Sequence, residues 1–122
     1  MARRRDVGHR WRDYRTPTGR RPVKKFLDSL SDEDAAEVIA AMAEVRDEGL
    51  QVARHLRREI YEVRADGRNA TFRVLFAPEG KKGRILLALE AFSKTTRKTP
   101  PRLVELAERR LAEWRTRGRH GS

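Results

Sequence analysis

Two arginines nine positions apart, Arg64 and Arg73, and a burst of cations at Lys94, Arg97 and Lys98 are the residues of this chain whose types suit them to hold an anion together. A guanidinium stays protonated and grips two oxygens with a planar fork. An ammonium is a compact charge whose proton can be transferred once cationic neighbours lower its pKa. Arg64 lies in the alternating stretch IYEVRA and Arg73 in TFRVLFA, with DGRN between them as a hairpin turn. Counting outward from that turn puts the two arginines nearly in register on adjacent antiparallel strands, both on the face opposite their neighbours' aromatic rings. Lys94 leaves the end of the next strand, RILLALEAF, close by. Three cations at one sheet edge repel one another, and Glu62 and Glu90 are placed to offset part of that. Two readings stand side by side: an ion-pair ladder on an exposed sheet face, or an anion site.

The elements that must position these residues follow from periodicity. HRWRDYRT reads as a first short strand, with Arg12 between Trp11 and Tyr14. Pro17 and Gly19 punctuate the turn after it, and Pro22 opens a short helix through VKKFLDSL. Ser31 is placed as the N-cap of a second helix that runs to about Glu48 and closes at Gly49, with Ala35, Val38, Ile39, Met42 and Val45 as its core stripe. Then come the three strands, the last apolar at nearly every position, as befits a strand covered on both faces. Pro100 and Pro101 lead into a final helix with Leu103, Leu106, Ala107, Leu111 and Trp114 at helical spacing. The expectation is a single α+β domain over residues 1–122: a three-strand meander plus an N-terminal strand, with helices packed on one side. Residues 1–10 read as a basic mobile arm and 117–122 as a mobile tail.

Composition removes whole classes of chemistry. There is no cysteine, which excludes disulfides, zinc–thiolate sites and thiol catalysis and fits a reducing compartment. His9, His55 and His120 are scattered without ligand spacing, Ser29, Ser31 and Ser93 lack a triad arrangement, and Gly80 and Gly83 flank a hairpin instead of opening a helix. No apolar run is long enough to span a bilayer and no signal peptide is legible, so the expected location is the cytoplasm. The 122 residues carry a formal +11, unevenly divided. Residues 1–25 hold ten cations and two acids, 28–48 one cation and eight acids, and 49–122 eighteen cations and eight acids. An Arg-rich excess of this kind points to nucleic acid, with the acidic middle turned away from it.

The run from Arg58 to Arg110 resembles the RelE superfamily of bacterial toxins, and within it the phage-derived HigB-like branch. The matching elements are E-x-R at Glu62 and Arg64, R-x-L-[FY] at Arg73, Leu75 and Phe76, F-x-K at Phe92 and Lys94, K-T-P at Lys98, Thr99 and Pro100, and A-x-x-R at Ala107 and Arg110. Upstream, TPTGRRPVKKFLDSL is similar to the family's G-x-x-P-V-x-x-F-L segment, so the likeness covers most of residues 11–113. It implies a RelE-like small antiparallel sheet and the toxin of a type II toxin–antitoxin pair, acting as a metal-independent, ribosome-dependent endoribonuclease on mRNA. The ribose 2′-hydroxyl would attack the adjacent phosphodiester, leaving 2′,3′-cyclic phosphate and 5′-hydroxyl ends.

In that reading Arg64 and Arg73 stabilise the extra charge, Lys94 does the same or transfers a proton, and Lys98, Arg97 and Arg12 hold RNA backbone. Glu90 stands where many relatives carry a histidine; it could serve as the base or simply neutralise Arg73. No cofactor is implied, and the expected partners are mRNA, the ribosome and a helix-turn-helix antitoxin of the HigA type. Two other classes compete with this one: a catalytically silent RNA- or DNA-binding module on the same fold, and an interaction protein working through its acidic helix.

Overall fold

The computed structural model describes residues 8–94 and 98–121, with side chains through 118. The first seven residues of the expected basic arm, and Arg97, lie outside the described residues. In chain order the elements are β1 (Arg10–Asp13), α1 (Pro22–Asp28), α2 (Asp32–Glu48), β2 (Arg54–Arg57), β3 (Ile60–Asp66), β4 (Thr71–Glu79), β5 (Ile85–Lys94) and α3 (Pro101–Gly121). The α+β class holds.

Local chemistry sets the boundaries. Pro22 occupies the first turn of α1, where its missing N–H costs nothing. The Ser31 hydroxyl accepts from the Asp34 amide at 3.1 Å, and Asp32, Glu33 and Asp34 crowd the amino end of α2, where negative charge is favoured. Gly49 closes that helix at φ 89°, a conformation that costs other residues a Cβ clash. Of the expected α2 stripe, Val38 and Val45 are buried and Met42 partly so, but Ile39 is 56 % exposed. The stripe is narrower than its spacing suggested, because only one edge of α2 meets the sheet.

The sheet runs β1-β5-β4-β3-β2. The three-strand antiparallel meander of β3, β4 and β5 is present, and β1 joins β5 in parallel. A fifth strand, β2, was not expected from its sequence: RHLR has one apolar residue and no alternation. Its charges suit an edge strand, whose open side faces water. Helices cover both faces of the sheet and not one. α1 and α2 share a core with Val63, Phe72, Val74, Phe76, Leu86 and Ala88. On the other face Val104, Ala107 and Leu111 of α3 pack with Ile60, Leu75, Leu87 and Leu89. The cause is plain in β4 and β5, where Phe72–Ala77 and Leu86–Leu89 are buried without a break and need apolar cover above and below.

The pairing of β4 with β5 contains a bulge. Leu75 lies opposite Glu90 and Phe76 opposite Ala88, leaving Leu89 as an extra residue. From that point the side-chain alternation of β5 is reversed, so Glu90, Phe92 and Lys94 emerge on the α3 face. Among the described residues no helix is long and apolar enough to cross a membrane.

Ion pairs dock α3 along the sheet edge. Arg57 donates to Glu108 at 2.6 Å, and Arg115 bridges Glu59 at 2.8 Å and Glu79. The Tyr14 hydroxyl donates to Glu113 at 2.7 Å, and burial, with that carboxylate beside it, pushes the phenol up to about 12. Hydrogen bonds from Arg115 and Arg57 hold the Glu59 and Glu108 carboxyls below the usual carboxylate range. Because the folded values lie below the unfolded ones, this stabilisation is complete above the unfolded carboxylate value of about 4.3 and disappears as pH falls through the folded values. Thermal unfolding followed by circular dichroism is expected to give a midpoint that drops in that acid window. A Glu59→Gln/Glu108→Gln variant should start lower at neutral pH and decline less steeply. An equally steep decline in the variant would assign acid sensitivity to other carboxylates.

Candidate active site

Register brings the predicted cations together. Arg64 of β3 is the direct cross-strand partner of Arg73 of β4, Arg73 in turn faces Phe92 of β5, and Lys94 faces Thr71. Residues on opposed positions share a face, and Thr71, Arg73 and Leu75 alternate on one side of β4. Glu62, Arg64, Arg73, Phe92 and Lys94 therefore occupy one patch, beyond the amino end of α3. The bulge at Leu89 makes this possible; without it Phe92 and Lys94 would point to the α1/α2 face.

Arg73 and Glu62 are each 3 % exposed and lie 3.6 Å apart, a buried ion pair. Thr99, just ahead of α3, joins them: Arg73 Nη1 donates to the Thr99 hydroxyl at 3.1 Å, and that hydroxyl donates to Glu62 Oε2. A carboxylate and a guanidinium taken out of water are tolerable only when paired and further hydrogen-bonded, which is what Thr99 supplies. Above this floor the patch is open. The Arg64 side chain is 59 % exposed and only loosely held by Asp66 at 3.5 Å. Lys94 is partly buried and Lys98 exposed.

Glu90 faces the same side, opposite Leu75, but its partner is Arg110 of α3, at 3.2 Å. Arg110 also donates to the Leu89 carbonyl at 2.7 Å, so it clamps the bulge to the helix. The charge next to Arg73 is supplied by Glu62, while Glu90 ties strand to helix. Arg12 is not part of the patch: it sits on β1 opposite Leu87, at the other edge of the sheet. Among the described residues no group of three or more His, Asp or Glu is arranged to hold a metal ion.

Thr99 and Arg110 acquire functions that residue types alone did not assign. Both fell inside matched strings, K-T-P and A-x-x-R, so the signal was present. The job of each depends on where α3 lands, which no local pattern encodes.

Residues 25–112 match the family described as phage-derived protein Gp49-like (DUF891). The chain is also 35 % identical over 108 residues to the probable endoribonuclease HigB1 of Mycobacterium tuberculosis strain CDC 1551 / Oshkosh, covering 86 % of this chain and 84 % of the relative. The HigB1 protein of strain H37Rv matches to the same extent. A match across most of the domain, together with the α+β fold and the order of the E-x-R, R-x-L-F and F-x-K strands, shows that the chain belongs to the Gp49-like family of phage-derived, RelE/HigB-like toxins.

Proposed function

We propose that this protein is the toxin of a type II toxin–antitoxin pair and cleaves mRNA in the cytoplasm, on the translating ribosome, without a metal. The observation that carries the reading is the patch itself: Arg64 and Lys94 stand over a buried, pre-organised Arg73–Thr99–Glu62 floor. The relationship to an endoribonuclease supports it.

In this reaction the 2′-oxygen loses its proton as it bonds to phosphorus, the bond to the 5′-oxygen breaks, and that oxygen gains a proton. The products are a 2′,3′-cyclic phosphate and a 5′-hydroxyl. Charge accumulates on the non-bridging oxygens, and preorganised cations facing them supply the largest share of such catalysis. Arg64 meets those oxygens with its fork and Lys94 from the next strand but one; Lys98 and Arg97 hold the flanking backbone. Arg73 acts from beneath, its charge adding to the field of the patch while Thr99 and Glu62 fix its position. Glu90 and Lys94 divide the proton transfers. The mRNA is the substrate, and a helix-turn-helix antitoxin of the HigA type silences the protein. One observation favours the second reading, a silent RNA-binding module: Glu90 is engaged by Arg110, which restrains one of the two groups assigned to proton transfer.

Two experiments follow. On induced expression in a bacterial host, the wild-type chain should arrest growth and cut mRNA within translated codons, leaving 5′-hydroxyl ends. Arg64→Ala and Lys94→Ala, both at solvent-accessible positions, should each lower cleavage of a defined transcript by about 10²-fold or more while the proteins stay folded. Arrest with intact mRNA would move the assignment to the binding module. The second experiment is urea unfolding of Arg73→Ala, which strands the Glu62 carboxylate and should cost about 3–5 kcal/mol of stability. A loss under about 1 kcal/mol would mean that water already reaches the pair and the floor is not preorganised.

A further inference from the structure

Arg12, set apart from the active patch, lies at the mouth of a second basic cavity between β1 and the carboxyl-terminal part of α3. The cavity measures about 700 Å³ and is lined by Arg12, Arg15, Arg21, Trp114 and Arg117, together with Trp11, Asp13 and Gly118. Four guanidinium groups share this space with one carboxylate. Arg21 is bound to Asp13 at 2.7 Å, and Arg117 donates to Glu113 and to the Arg15 carbonyl. Arg12 and Arg15 are exposed and form no ion pair among the described residues. Two of the four guanidiniums are thus neutralised from within, while the charges of Arg12 and Arg15 remain open to an anion from outside.

We infer that this cavity is a second RNA-binding site, which takes phosphates of an RNA segment on Arg12 and Arg15 and an unstacked base on Trp114. The forked guanidinium matches phosphate oxygens in pairs, and a partly buried tryptophan beside such forks is the combination that single-stranded RNA recognition uses. Trp11 is not available for stacking, because its indole N–H is tied to the Met42 carbonyl at 2.7 Å and its ring packs edge-on against Phe76. The site is remote from the active patch. Thr99 adjoins Arg73 at the amino end of α3 and Arg117 lies near the other end, so at a rise of about 1.5 Å per residue the helix separates them by about 24 Å. The RNA held at β1 is therefore a different segment from the one positioned at Arg64 and Lys94. This extends the proposed function to a second contact and does not require that cleavage occur.

The test is fluorescence anisotropy of the full chain with a labelled twelve-residue oligouridylate, titrated with salt. An Arg12→Gln/Arg15→Gln variant alters exposed side chains and should melt like the wild type. It is expected to bind at least tenfold more weakly at low salt. Its log–log salt dependence should be shallower by about 1.4, two single-strand phosphate contacts at about 0.7 each. RNA should also quench tryptophan emission in the wild type, and Trp114→Phe, which keeps an aromatic ring in place, should abolish most of that quenching. An unchanged salt slope, or full quenching in Trp114→Phe, would overturn the inference. So would an equal loss of affinity for a polyglutamate peptide, which would make the cavity a patch for an acidic protein. A wild-type chain that binds the oligomer through Arg12 and Arg15 but cuts no mRNA would defeat the proposed function and leave this site standing.

Discussion

Glu62 and Arg73 are the charged residues buried within the described part of the domain, and the cationic face above them is organised around keeping them there. Each would be costly to take out of water alone, and even together they need their remaining hydrogen-bonding capacity met. Thr99 meets part of it, and Thr99 can do so only if the residues just ahead of α3 lie over the sheet. The pair thus acts as a condition on the tertiary structure: β3 and β4 must be in register, and the amino end of α3 must sit over them. Its value is geometric more than stabilising, since buried ion pairs seldom outperform apolar packing of the same shape. It fixes the floor under Arg64 and Lys94 to within a hydrogen bond's tolerance.

The bulge at Leu89 meets the same condition from the other side. β5 must feed two cores in its first half, so Leu86 and Ala88 face α1 and α2 while Leu87 and Leu89 face α3. In its second half it must deliver Phe92 and Lys94 to the α3 side. Strict alternation cannot place both Leu89 and Lys94 on one face, because five residues separate them, whereas one inserted residue can. An inserted residue leaves backbone groups without a ladder partner, and Arg110 satisfies one of them by donating to the Leu89 carbonyl while holding Glu90. Glu90 is thereby explained structurally whether or not it also moves a proton.

Local pattern made much of this legible. The caps at Ser31 and Gly49, the prolines opening α1 and α3, and the alternation of IYEVRA and TFRVLFA around DGRN placed the elements, and the hairpin count put Arg64 beside Arg73. What escaped was non-local. β2 carries almost no apolar signal because an edge strand paired on one side needs little. The run RILLALEAF already demanded cover on both faces, yet the helices were assigned to one; only the position of α3 resolves that conflict. The bulge is equally silent in sequence, since an extra apolar residue in an apolar run disturbs no pattern. For that reason the partnership of Glu90 could not be decided, and the burial of Arg73 could not be seen.

The division of charge acquires meaning once the layers are known. Asp32, Glu33, Glu37, Glu44, Asp47 and Glu48 are exposed on α2, which packs on the face of the sheet opposite α3. Arg64, Lys94 and Lys98 lie on the α3 side, so the domain is acidic behind and basic in front. A polyanion approaching from any direction is repelled by one side and drawn to the other, and the encounter is biased before any contact forms. Ile39, the exposed large apolar residue among those described, lies on that acidic helix, in the layer opposite α3.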